Sequence, residues 1–184
     1  MNFGKFQPSI IQVLTFTVLS ADEKGAMMME KLNSSIAPDN RQAISEALYQ
    51  CVSETAVTTM LAQNYHWNVT GMAFGPLHNL FQEIYEDHFA AQDELAERMR
   101  ALGAYVDGNL SAMVKQSKID ECEGVLSANE MIKNMANAQE ALASTNAGAS
   151  DIAANYGDKL TEDLCIERGQ IHEKFAWMLR SHIE

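Results

Sequence analysis

The sequence predicts an all-α fold: four long helices in a bundle, with one long crossover that carries a short helix, behind an N-terminal extension. Three observations predict it. Apolar residues return at three- and four-residue steps over long windows, the pattern of helices with one buried face. Helix-starting and helix-stopping residues bracket those windows. The 184 residues are 47% hydrophobic with only three prolines, which suits one helical domain large enough to bury a core. That domain is expected over residues 37–184, with residues 1–36 as the extension.

Residues 1–36 are the least periodic part of the chain. Ile10 to Leu19 imitates a secretory signal, but only Lys5 precedes it and Gln12, Thr15 and Thr17 interrupt it. A structural extension is therefore expected, docked on a neighbouring subunit or on its own bundle. Its charges cancel: Lys5, Lys24 and Lys31 oppose Asp22, Glu23 and Glu30, so it is not a basic arm.

Pro38 and Asp39 open the first helix, Asp39 as N-cap. Ile44, Leu48, Cys51, Val52, Thr55, Val57, Met60 and Leu61 carry it to about His66. Pro76 suits a first helical position. Leu77, Leu80, Phe81, Ile84, Tyr85, Phe89, Leu95 and Met99 mark a second helix that stops near Leu102 at Gly103. These two helices should form an antiparallel hairpin. Residues 103–125 are long enough to cross the bundle, with a short helix at 110–117. Ser127-Ala-Asn-Glu130 is a capping box that opens a third long helix to about Asn155. Gly157-Asp158 ends it and caps the fourth, which runs from about Lys159 to His182 with Leu164, Ile171, Phe175 and Met178 inward.

Charge narrows the function. The net charge is −12, from 25 acidic and 13 basic residues. Phosphate binding needs a basic footprint, so tight direct DNA binding is not expected; an acidic surface attracts cations instead. No run of about 18 apolar residues occurs, so no membrane span is expected. Cys51, Cys122 and Cys165 lack any zinc-binding spacing and read as reduced thiols of a cytoplasmic protein.

The chemistry concentrates in residues 66–98, HWNVTGMAFGPLHNLFQEIYEDHFAAQDELAER. His78 and Gln82 share a helix face, as do Asp93 and Glu97, each pair being i and i+4. His78 and Asp93 lie about 22 Å apart on a straight helix at ~1.5 Å per residue, so one chain cannot join the pairs. A second copy can. Two such helices packed antiparallel about a twofold axis near Asp87 and His88 place His78 opposite Glu97, and Gln82 opposite Asp93. Asp87 and His88 are then expected at that axis or on an exposed face. His172 and His182 are expected at the surface or an interface. His66 ends the preceding helix, and the turn with Gly71 and Gly75 can fold it over the same cluster. Such a His, His, Asp, Glu set suits iron, zinc or manganese better than copper(I) or a sulfur cluster.

The order H-W-N-V-x-G-x-x-F-x-x-x-H, with D-x-x-x-E-R beginning fifteen residues after the second His, resembles the ferroxidase signature of the Dps family, the mini-ferritins. The match is dense over His66 to Gly103 and looser from about residue 37 onward. The resemblance implies a ferritin-like bundle assembled as a hollow homo-oligomer of twelve subunits. It implies oxidation of Fe(II) to Fe(III) by hydrogen peroxide or oxygen, with storage of ferric mineral. Asp93 and Glu97 would hold a first iron with His66 of the partner chain. His78, helped by Gln82, would hold a second, and Trp67 would lend electrons nearby. The family usually has a carboxylate where this chain has Gln82. An amide oxygen ligates without charge, so the second position is expected to be weaker. This departure leaves an alternative: a protective or DNA-compacting cage with weak ferroxidase activity. The resemblance also implies that Asp158 and Asp163, in the acidic cluster with Glu162, line threefold pores through which iron enters.

Overall fold

The computed structural model describes residues 27–183. Its helices are α1 (Pro38–Asn68), α2 (Phe74–Ala101), α3 (Leu110–Gln116), α4 (Ala128–Asn155) and α5 (Lys159–Arg180). α1 packs against α2, and α4 against α5, as two hairpins joined mainly through α1 and α4; α3 rests on α1. This is the bundle expected for a chain with two short connections and one long crossover.

The helix boundaries follow local chemistry, with two corrections. Asp39 is not the N-cap of α1: Ala37 takes that place without a side-chain bond, Pro38 is the first helical residue, and Asp39 lies in the first turn. A missing N–H costs nothing at that position, so proline opens the helix unaided. Pro76 is likewise not the first residue of α2. The helix begins two residues earlier at Phe74, where Phe74 N–H reaches Gly71 O at 3.1 Å. Ser127 and Glu130 form the complete capping box of α4, and Asp158 caps α5 through Thr161 N–H.

Two apolar clusters fill the bundle. One gathers Tyr65, Leu77, Phe81, Ile84, Ile132, Met135 and Leu179. The other gathers Ile44, Leu48, Cys51, Leu95, Met99 and Cys165. Each fully buried Leu, Ile or Phe contributes roughly 1.5–3 kcal/mol of transfer free energy. Two residues of the expected inward pattern depart from it: Met60 is 53% and Phe89 is 72% exposed.

Between the clusters, at the middle level of the four long helices, lies a buried polar layer that includes Glu54, His88, Gln139, Arg168 and His172. Buried polar groups need partners. Glu54 accepts from Gln50 Nε2 and Thr145 Oγ1, each at 2.6 Å. Gln139 bridges the two histidines: its Nε2 donates to His88 Nε2 at 3.2 Å, and His172 Nδ1 donates to its Oε1 at 2.8 Å. Arg168 pairs with Asp87 at 2.5 Å. The positions expected for His88 and His172 are thus corrected, whereas the Asp87 side chain stays 26% exposed. His88 belongs to the inward stripe with Ile84, Ala91 and Leu95, and both histidines are fully buried. His182 is exposed.

Residues 27–36 lie against the chain's own bundle. Glu30 N donates to Gly103 O at 2.7 Å and Tyr105 N to Met28 O at 2.9 Å, so the segment runs antiparallel to the chain leaving α2. Arg41 reinforces it, donating to Leu102 O at 2.6 Å. The expectation for Ile10 to Leu19 falls outside the described residues. Among those described, no helix is long and apolar enough to cross a membrane.

Candidate metal centre

The turn between α1 and α2 is what brings His66 and His78 together. Gly71 has φ of 101°, a left-handed conformation that a side chain would strain, and it reverses the chain within five residues. The two imidazoles then stack with ring centres 3.7 Å apart and planes 21° from parallel. Each ring is tied to the other residue's backbone: His66 Nδ1 donates to His78 O, and His78 Nδ1 to His66 O, both at 2.8 Å.

That reciprocity fixes the tautomers. A carbonyl oxygen only accepts, so each Nδ1 carries the proton. In the neutral form of each ring the lone pair is then on Nε2, the atom free to ligate. Fixing the ring nitrogen that does not bind is how proteins orient metal-binding histidines. Tyr85 adds an edge-on ring 5.4 Å from His66, and Phe74 covers His78 at 5.0 Å. Sequence periodicity marks Tyr85 only as a core aromatic; its spacing of seven from His78 was the available sign of a shared face.

The carboxylates lie at the other end of α2. Asp93 and Glu97 are not buried, and Gln82 sits half-buried one turn beyond His78. Residues 78, 82, 86, 89, 93 and 97 form one stripe at steps of four, four, three, four and four on the side of α2 away from His88. Phe89 stands at its middle. Among the described residues of a single chain, no three His, Cys, Asp or Glu side chains converge. Trp67, beside His66 in sequence, is 64% exposed.

The acids at the start of α5 divide. Asp158 is 3% exposed. Its carboxylate accepts twice from Arg98 Nη2, at 2.7 and 2.8 Å, and from Thr161 Oγ1 at 2.6 Å. Burial raises its pKa, but the Arg98 and Thr161 hydrogen bonds and the Arg98 charge more than offset this and hold it below the usual value. Asp158 is thus a buried cap rather than an open pore-lining acid, whereas Asp163 is exposed.

Comparison with known proteins agrees with this architecture. The ferritin-like domain model matches residues 45–184. A DNA protection during starvation protein of Brevibacillus brevis is 33% identical over 146 residues, covering 78% of this chain and 97% of that protein. The crystal structure of Dps from Staphylococcus aureus superposes with a TM-score of 0.76 at 31% identity, over 78% of this chain and 96% of that one. Dps from Vibrio cholerae, described as one of the ferritin-like diiron-carboxylate proteins, superposes with a TM-score of 0.79 at 27% identity, over 85% and 98% of the two chains. With this sequence, this helix order and these relatives, the chain belongs to the Dps family of ferritin-like proteins.

Proposed function

We propose that this protein detoxifies and stores iron, oxidising Fe(II) to Fe(III) at sites shared between twofold-related copies of a twelve-subunit cage. One observation carries the reading: the reciprocal His66–His78 hydrogen bonds leave two Nε2 lone pairs at one end of a stripe whose other end carries Asp93 and Glu97. Antiparallel pairing of two such stripes, with Glu86 and Phe89 at the axis, joins the ends. Asp93 and Glu97 then hold one substrate iron with the partner's His66, and His78 with Gln82 holds a weaker second.

The ligand set suits the chemistry. Neutral imidazole accepts Fe(II), while anionic oxygen favours the harder Fe(III), so the carboxylates drive the metal toward its oxidised state. Each Fe(II) gives one electron; one hydrogen peroxide takes two as its O–O bond breaks, and oxygen is the alternative acceptor. Consuming Fe(II) with peroxide removes the reactants of hydroxyl-radical formation. Trp67 and Tyr85 are the nearby aromatics able to supply an electron if a one-electron step escapes.

The test is anaerobic loading of the metal-free assembly with Fe(II), then hydrogen peroxide, following ferric absorbance. Growth faster than in buffer, abolished by Asp93→Asn with Glu97→Gln, is expected. Growth no faster than in buffer sinks the reading. Gln82 supports a second one, a protective cage with weak ferroxidase activity, for which slow turnover beside intact assembly is the sign.

A further inference from the structure

The stripe on α2 contains one more acid, between the histidine end and the carboxylate end. Glu86 follows Gln82 by one turn, and Gln82 Nε2 donates to Glu86 Oε1 at 2.7 Å. A carboxylate can only accept. The amide end turned toward Glu86 must therefore be the NH2, which leaves Gln82 Oε1, the only atom of that side chain able to ligate a cation, free to face the His78 end.

We propose that Glu86 is a positioning residue of the shared site: it orients Gln82 so that the amide oxygen serves the second metal position, and it supplies there the negative charge that Gln82 lacks. The proposal rests on the shared-site reading given above. Gln82 and Glu86 continue the stripe that begins at His78, so the charge lies on the ligand face. Of the nearby cations, buried Arg168 pairs with Asp87, and Lys174 lines the same cleft as Gln82 and Glu86; among the described residues neither forms an ion pair with Glu86. In the antiparallel arrangement Glu86 meets the partner's Phe89, whose exposed ring would shield it from water and strengthen its field.

A simpler account must be beaten. Gln42 and Glu46 make the same i, i+4 bond at 2.9 Å on α1, where neither residue is a candidate ligand. Such pairs stabilise helices by a few tenths of a kcal/mol and need no metal. Spacing alone therefore decides nothing, and the experiment has to read the metal.

Cobalt(II), which peroxide-free buffer does not oxidise, serves as probe. The metal-free assembly would be titrated by calorimetry and visible absorption for the native protein, Glu86→Gln, Gln82→Asp and the double variant, with light scattering to check assembly. Native protein should bind a tight and a weaker cobalt per site. Glu86→Gln keeps an acceptor for Gln82 but removes the charge, and should weaken the second cobalt by roughly tenfold while the first changes much less. In the Gln82→Asp background the introduced carboxylate supplies the charge directly, and Glu86 repels it across one turn. There Glu86→Gln should leave the second affinity equal or tighter. A roughly tenfold loss confined to the second cobalt and to the native background is something a helix-stabilising pair does not produce. The proposal is overturned if Glu86→Gln leaves the second cobalt unchanged, if it weakens binding equally in both backgrounds, or if the native protein binds only the first. Should His66→Ala also leave the tight cobalt unaffected, the shared site itself is wrong.

Discussion

The buried histidine pair makes acid the sharpest probe of this fold. Burial is the main cause that lowers the His88 pKa from 6.5 to about 4; Asp87 opposes it, Arg168 adds to it, and the Gln139 hydrogen bond opposes it. Burial likewise lowers His172 to about 2, helped by His88 and Arg168. Both rings are neutral in the folded chain where the unfolded chain already binds protons. Stability is therefore complete above pH 6.5 and falls as pH drops through it, down to about 4 for His88 and further for His172. At pH 5 each histidine has lost about 1.5 pH units of this linkage, about 2 kcal/mol at ~1.36 kcal/mol per unit, or roughly 4 kcal/mol per chain for the pair. With a urea slope of about 2 kcal/mol per M, the midpoint should fall by roughly 2 M between pH 7 and pH 5. The assay is urea unfolding followed by fluorescence and circular dichroism at fixed chain concentration, because the proposed assembly would contribute to stability. His88→Asn with His172→Asn should flatten the dependence, whatever it does to absolute stability. A native midpoint that does not move, or a double variant with the native slope, refutes the reasoning.

Three further outcomes are expected. Asp158→Ala should cost roughly 3 kcal/mol, because it removes the cap of α5 and strands Arg98 half-buried, with Asp158→Asn costing less; urea midpoints decide, and a loss below about 1 kcal/mol contradicts the account. Gly103→Ala should destabilise by about 1–3 kcal/mol: Gly103 has φ of 88°, and a Cβ there would lie 2.9 Å from both Arg41 Nη1 and Leu32 Cδ1; the same unfolding measurement checks it. Random-sequence duplex DNA should not bind below micromolar concentration at physiological salt without divalent metal, given the net charge of −12; a gel shift checks this.

The helices were legible because their signals are local. Ser127 and Glu130 mark the start of α4 in four residues, and the hairpin formed where Gly71 allowed it. The errors share a cause. Asp39 and Pro76 are acceptable at more than one position of a first turn, so sequence leaves the boundary loose by a residue or two. His88 and His172 were misplaced because a histidine in an apolar stripe looks out of register until its partner is known. That partner, Gln139, lies 51 residues from His88 on α4 and carries no pattern of its own. The candidate ligands His66, His78, Asp93 and Glu97 could be read from spacing and resemblance. Glu86 could not, since its bond to Gln82 looks like any surface pair until the stripe is drawn.

In the proposed metal centre, the crossed hydrogen bonds between His66 and His78 also bear on selectivity. A flexible imidazole must give up rotational freedom when it ligates, and that loss is subtracted from every metal's affinity alike. Here the loss is incurred when the hairpin forms, before any ion arrives. Incoming ions therefore meet rings already held in one orientation. Discrimination among them then reflects ionic radius, hydration and preferred bond angles. A metal that demands a different approach to Nε2 has to break a backbone contact to get it, so the hairpin acts as a gauge as well as a scaffold.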